Sequence, residues 1–213
     1  MQIRPPYLSR WRAVARAASS STLALRLLPR PAGRFYARAN LLALRLDDRW
    51  NFVSTLPPRE LAVLVGLARG GKSVVELGTG TAWTSLVLAL AEPGRVVTTY
   101  DIQPKAGREA YVALADADTR GRVHLVTGPG ERGEPPDAPV DLLYIDSNHS
   151  REIVRASFEH WETHVAPGGH VVFDDYENDT YPGVCEAVAD LGLEGLTAGR
   201  LFIWRKPEGP ARR

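Results

Sequence analysis

Three carboxylates sit where two apolar runs stop. Asp146 follows Val140–Ile145, and Asp174-Asp175 follow His170–Phe173. If those runs are neighbouring strands, the acids converge at one edge, where like charges raise one another's pKa values. Hard oxygen ligands of this kind suit Mg²⁺ or another divalent cation. The competing expectation is that one acid caps a helix and another faces solvent. His149 lies three residues beyond Asp146, and an imidazole of ordinary pKa takes a proton near neutrality. It could instead cap or pack a helix spanning Arg151–His164, leaving Asp146 or Asp175 as the base. His124, His160, His164 and His170 fit core or surface roles better, and His160/His164 would need further ligands to hold a metal.

A second group of residues has binding chemistry. Val74-Val75-Glu76-Leu77 runs into Gly78-Thr79-Gly80-Thr81-Ala82-Trp83, a strand entering a glycine turn and then a helix. Glycines let the chain turn sharply and let a ligand approach the backbone. The turn begins like a dinucleotide fingerprint, but tryptophan stands where the third glycine belongs, which disfavours NAD and an oxidoreductase. Asp101, 21 residues past Gly80, ends the next strand and can accept from two ribose hydroxyls, a role open to several nucleosides.

These residues need a scaffold of alternating strands and helices. Strands are expected at Ser73–Leu77, Arg95–Tyr100, Val123–Val126, Val140–Ile145 and His170–Phe173. Helices are expected at Pro58–Ala68, Ala82–Ala91, Lys105–Ala117, Arg151–His164 and Pro182–Leu191, and a closing hairpin at Leu193–Thr197 and Leu201–Lys206. Strand centres rich in Val, Ile and Leu imply a mostly parallel sheet covered on both faces. The polar run Tyr176–Gly183 makes a rim in which Tyr176 and Tyr181 could stack on a sugar ring.

The formal charge of +1 hides two unlike parts. Residues 1–50 carry ten arginines and two aspartates, +8, whereas residues 51–213 carry 16 basic and 23 acidic groups, −7. Helical spacing of Tyr7, Trp11, Val14, Ala18, Leu25 and Leu28 among arginines predicts one or two amphipathic helices, and a second basic-apolar stretch runs from Phe35 to Leu46. Three segments result: a basic helical extension over 1–50, the main domain over 51–206 and a frayed tail over 207–213. The extension could be a lid, a homodimer element or a docking surface. The single cysteine, Cys185, excludes an internal disulfide and a cysteine-built zinc site. A reducing, cytoplasmic compartment fits, and the Ala- and Arg-rich, Lys-poor composition fits a bacterial source. Arg26 interrupts the only leader-like apolar stretch, and no run approaches the roughly 20 apolar residues of a membrane span. Acids at the rim disfavour a nucleic-acid substrate.

Taken in order, the glycine turn after Glu76, Asp101, Thr127-Gly128-Pro129-Gly130-Glu131, Tyr144-Ile145-Asp146 and Phe173-Asp174-Asp175 resemble class I S-adenosylmethionine-dependent methyltransferases over residues 51–206. That resemblance implies a Rossmann-like α/β sandwich with a mostly parallel seven-stranded sheet and a final antiparallel hairpin. It also implies cofactor contacts at Ser54, Glu76, Gly78, Gly80, Trp83, Thr84, Asp101, Gly130, Glu131 and Asp146. The three acids resemble the ligand set of metal-dependent O-methyltransferases of catechols and, in the Asp-Asp form, more closely of macrolide or aminocoumarin sugars, while Ile145-Asp146-Ser147-Asn148-His149-Ser150 resembles a signature of small bacterial methyltransferases of diverse substrates. By that resemblance, Asp146, Asp174 and Asp175 hold Mg²⁺ and His149 is the base. The implied acceptor is a hydroxyl of a sugar, oligosaccharide or glycosylated natural product, including methylmannose polysaccharides. A catechol acceptor, or a non-catalytic binding or scaffold role, is the alternative.

Overall fold

The structure, a computed structural model, describes residues 24–209. The expected helical pattern over residues 7–23 and the last four residues of the expected tail lie outside them. A 3-10 turn at Leu25–Leu27 leads into helices α1 (Arg30–Leu46), α2 (Arg49–Ser54) and α3 (Pro58–Leu67). Strand β1 (Ser73–Leu77), helix α4 (Trp83–Ala91), strand β2 (Val96–Asp101), helices α5 (Arg108–Val112) and α6 (Ala117–Gly121) and strand β3 (Val123–Thr127) follow. Then come β4 (Val140–Ile145), α7 (Arg151–Trp161), β5 (Val165–Phe173), α8 (Pro182–Asp190), β6 (Leu196–Ala198) and β7 (Leu201–Arg205).

The strands form one sheet in the order β3-β2-β1-β4-β5-β7-β6. β1 to β5 are parallel, β7 is antiparallel to β5, and β6 is antiparallel to β7. This is the expected Rossmann-like, mostly parallel sandwich with a closing hairpin. Because side chains alternate along a strand, Val74 joins the core beneath α1, α3 and α4, while Val75 and Leu77 join the opposite core with Val154, Phe158 and Trp161 of α7. The order reverses between β1 and β4, and the carboxyl ends on either side of such a reversal leave a crevice.

Helix α1 begins on Pro31 in its first turn, where the missing N–H costs nothing. Its stripe of Ala32, Phe35, Tyr36, Ala39 and Ala43 is buried at helical spacing in the same core as β1. The Tyr36 ring meets Trp83 edge-on at 5.4 Å, and its hydroxyl donates to Leu56 O at 3.0 Å. Burying a side chain such as Phe35 contributes roughly 2 kcal/mol.

The helix expected over Lys105–Ala117 is two short ones. Gly107, at φ 81°, holds the cap of α5 in a left-handed conformation, and Asp116 accepts from Thr119 N at 2.8 Å to start α6 afresh. Strand β5 starts at Val165, earlier than His170, because Gly168 N donates to Lys206 O and Lys206 N to Gly169 O. Helix α7 starts at Arg151 as expected, its Ile153 N–H bonded by Ser150 Oγ, but ends at Trp161 before a 3-10 turn. No helix of the described residues is long and apolar enough to cross a membrane.

Candidate active site

The carboxyl ends of β1, β2, β4 and β5 open into one cleft of ≈ 1230 Å³. Every residue singled out above for cofactor contact, metal ligation or proton transfer lines it: Ser54, Glu76, Gly78, Gly80, Trp83, Thr84, Asp101, Gly130, Glu131, Asp146, His149, Asp174 and Asp175.

One half is built on the turn after β1. Gly78 has φ 105° and donates to Tyr100 O at 2.8 Å, and Gly80 has φ 51°. Both conformations disfavour a side chain, and space forbids one as well. A Cβ on Gly80 would lie 2.6 Å from Trp50 Cη2, and one on Gly78 would strike the Asp146 backbone. Glu76 is buried on β1 and accepts from Ser85 Oγ and, at 2.7 Å, from Thr99 Oγ1. Burial pushes its carboxyl up to about 7 despite those bonds. Asp101 Oδ2 accepts from Gly80 N at 3.0 Å and from Arg108 Nη2 at 2.9 Å, while Arg108 Nε donates to Gly80 O at 2.8 Å. The acid and the turn are thereby clamped by one guanidinium whose side chain is 6% exposed.

The other half is built on β4 and β5. Asp146 N bonds Leu77 O at 2.8 Å and Asp174 N bonds Ile145 O at 3.0 Å, so the ladder continues one residue past each strand and carries both carboxylates to the cleft floor. Burial raises the Asp174 carboxyl to about 8, with Asp146 and Asp175 adding to the rise. Burial, then the nearby Glu76, hold Asp146 well above the usual carboxylate range. Asp175, at φ 54°, points its two oxygens at different partners. Oδ1 receives Arg200 Nη1 and Asn178 Nδ2, both at 2.8 Å, and Oδ2 lies 3.5 Å from His149 Nε2. The same Nε2 is 3.6 Å from Asp146 Oδ1, is buried and makes no hydrogen bond. Tyr181 stacks on the imidazole at 4.4 Å. Tyr176, the other candidate sugar platform, packs on Phe202 instead and does not line the cleft.

The donor chemistry of this half fits a hard divalent cation. Asp174 Oδ1 is buried without a hydrogen-bond partner, and Asp146 and Asp175 crowd it with like charge, a donor set of hard oxygens. Even so, no group of three or more His, Cys, Asp or Glu side chains among the described residues is already arranged to hold a metal ion.

A family model described as a methyltransferase domain matches residues 75–176, from β1 through the end of β5. The fold is that of a class I S-adenosylmethionine-dependent methyltransferase. The chain is 32% identical over 90 residues to a protein-L-isoaspartate O-methyltransferase of Thermococcus onnurineus, an alignment covering 41% of this chain and 40% of that protein. It spans 40–55% of the length of the first curated relatives it matches. Among solved structures it resembles an S-adenosylhomocysteine-bound methyltransferase of Podospora anserina, with TM-score 0.65, 15% identity and coverage of 98% and 100% of the two chains. It also resembles CalS11, a TDP-rhamnose 3'-O-methyltransferase of calicheamicin biosynthesis, with TM-score 0.61, 19% identity and 96% coverage of each chain.

Within this methyltransferase fold, several cleft residues carry no sequence signal. Trp50 of α2 stands over Gly80, with Lys105 Nζ 4.1 Å from its ring centre. The buried Asn51 seats the same helix, accepting from Thr81 Oγ1 at 2.5 Å and donating to Asp48 Oδ2 at 2.6 Å, while Tyr111 OH donates to that oxygen at 2.6 Å. Arg108 and Arg200 come from a short helix and a hairpin turn. Only the folded chain reveals their targets.

Proposed function

We propose that the chain is an S-adenosylmethionine-dependent O-methyltransferase acting on a saccharide hydroxyl, assisted by a divalent cation. The observation that carries this reading is that one cleft holds both a nucleoside-type half, Glu76 to Asp101, and a carboxylate-imidazole half, Asp146 to Asp175. Single small ligands fill about 300–1000 Å³, so the ≈ 1230 Å³ leaves room for a cofactor and an acceptor together. The likeness to a TDP-rhamnose 3'-O-methyltransferase over 96% of both chains supports a sugar acceptor.

In this reading Asp101 offers the ribose its Oδ1, since Oδ2 is occupied by Gly80 and Arg108. Gly78 and Gly80 let the cofactor lie against bare backbone. Glu76 faces its cationic end, and Gly130 and Glu131 border the base. Ser54, Trp83 and Thr84 complete the wall. S-adenosylmethionine supplies a methyl group on a sulfonium. A divalent cation on Asp146, Asp174 and Asp175 would make a coordinated hydroxyl more acidic. His149 Nε2, buried and free of hydrogen bonds, accepts the hydroxyl proton as the oxygen becomes the nucleophile. The chain's own contribution is orientation, since both halves hang from adjacent strands of a rigid sheet.

The test is transfer of a labelled methyl group from S-adenosylmethionine into a panel of sugars, glycosides and catechols, with and without EDTA. Label should enter a saccharide and fall on chelation. Label in catechols alone would replace the acceptor class. Turnover indifferent to EDTA and to Asp175→Ala would remove the metal, and S-adenosylhomocysteine binding without transfer to any acceptor would leave a binding protein.

A further inference from the structure

Arg200 lies in the β6–β7 turn, away in sequence from every other cleft residue. Its backbone is fixed from two sides: Arg200 N donates to Glu60 Oε1 at 3.1 Å and Arg200 O accepts from Tyr176 N at 2.8 Å. The preceding Gly199, at φ 62°, has no room for a Cβ because Glu60 fills that space. The turn thus delivers the guanidinium to one target, Asp175 Oδ1, at 2.8 Å. The Asp175 side chain it meets is 11% exposed, whereas the Arg200 side chain is 45% exposed at the cleft mouth.

This pairing accounts for a tension within the site. Asp146, Asp174 and Asp175 are chemically a hard-cation donor set, and Asp174, 6% exposed, keeps Oδ1 without a partner. Yet Asp175 already has a cation. We infer that Arg200 is the resident counter-ion of Asp175, held on Oδ1 while Oδ2 faces His149, and that its charge competes with a divalent metal for this carboxylate, so that metal uptake is favoured when the guanidinium withdraws. An exposed arginine can make that exchange at low cost, because water solvates it as soon as it withdraws. Oδ1 keeps a second donor, Asn178 Nδ2 at 2.8 Å, when the guanidinium withdraws. The inference rests on the metal-assisted reading above.

The test uses Mn²⁺ as the probe, read by electron paramagnetic resonance titration of the full chain with no acceptor present. Arg200→Gln should bind Mn²⁺ roughly tenfold tighter than the wild type, and Arg200→Lys, which keeps the charge, should stay within about threefold. In an Asp175→Asn background the Arg200→Gln gain should vanish, the signature of a direct pair rather than a loosened turn. S-adenosylhomocysteine affinity and the melting temperature, measured on each variant, report whether the fold is kept. Equal or weaker Mn²⁺ binding by a folded Arg200→Gln would overturn the inference while leaving the metal reading intact. Absence of Mn²⁺ binding in every variant would overturn both, and the methyl-transfer assay would still report on the reaction.

Discussion

The backbone of Asp146 crosses so close to Gly78 that a Cβ on the glycine would sit 1.8 Å from the Asp146 carbonyl oxygen. The turn after β1 and the end of β4 are therefore one packed unit. Gly78→Ala must push the strands apart while also forcing alanine into φ 105°. Overpacking and backbone strain together should cost about 2–4 kcal/mol, read as a lower urea midpoint with loss of S-adenosylhomocysteine binding. Gly66→Ala in α3 is the control. Its Cβ meets nothing within 4 Å, and it should be neutral or stabilise by up to about 1 kcal/mol.

Arg108 should behave as a positioning residue for the cofactor. Its fork joins Asp101 to the Gly80 carbonyl, which a lysine ammonium on a flexible stem cannot reproduce. Arg108→Lys should weaken S-adenosylhomocysteine binding by roughly tenfold and raise KM for S-adenosylmethionine while sparing kcat. A fall in kcat with KM unchanged would place Arg108 in the chemistry instead.

The strand ends were the most legible part of the site. Asp101, Asp146 and Asp174 each follow an apolar run whose boundary is dictated by burial, so their arrival at one sheet edge follows from parallel topology alone. Trp50, Arg108 and Arg200 were not legible, because nothing local distinguishes them from other aromatic or basic surface residues. What selects them is distance in the fold: Arg200 meets Asp175 across a hairpin, and Trp50 covers Gly80 from a short helix. The helix expected over Lys105–Ala117 failed for a local reason. Its apolar spacing runs on across Gly107 and Asp116, whose capping conformations outweigh the periodicity.

Glu76 gives the site a pH dependence of determinate sign. Its carboxyl titrates near 7 in the folded protein against about 4.5 in a solvated chain, because it is buried. Between those values the native state holds a proton that the unfolded state has lost. The contribution to stability is therefore complete below about 4.5 and is lost as pH rises through 7, a loss of roughly 3 kcal/mol. Glu76→Gln should flatten the melting temperature between pH 5 and about 8 relative to the wild type, to the extent of that loss. A cationic ligand favours the ionised form, so S-adenosylmethionine should bind tighter as pH rises toward 7 and should release a proton. Calorimetry in buffers of different ionisation enthalpy measures that proton directly, and its persistence in Glu76→Gln would assign it elsewhere.

In the proposed reaction the His149–Tyr181 stack separates the base from the residue that aims it. The rings lie 4.4 Å apart at 25°, and Tyr181 belongs to the loop that leaves Asp175, so one element carries both an acid and the aromatic cover of the imidazole. Offset aromatic stacking of this kind is worth about 0.5–1.5 kcal/mol, enough to choose one ring orientation but not to create reactivity. His149→Ala should therefore lower kcat by about 10²–10⁴, with S-adenosylhomocysteine affinity kept, because it removes the proposed proton acceptor. Tyr181→Ala should lower kcat by only about tenfold, and Tyr181→Phe should restore it, since the ring and not the hydroxyl holds the histidine. Added imidazole decides between the roles. It should restore turnover to His149→Ala and leave Tyr181→Ala unchanged, whereas full turnover of His149→Ala without it would move the proton acceptor to a carboxylate.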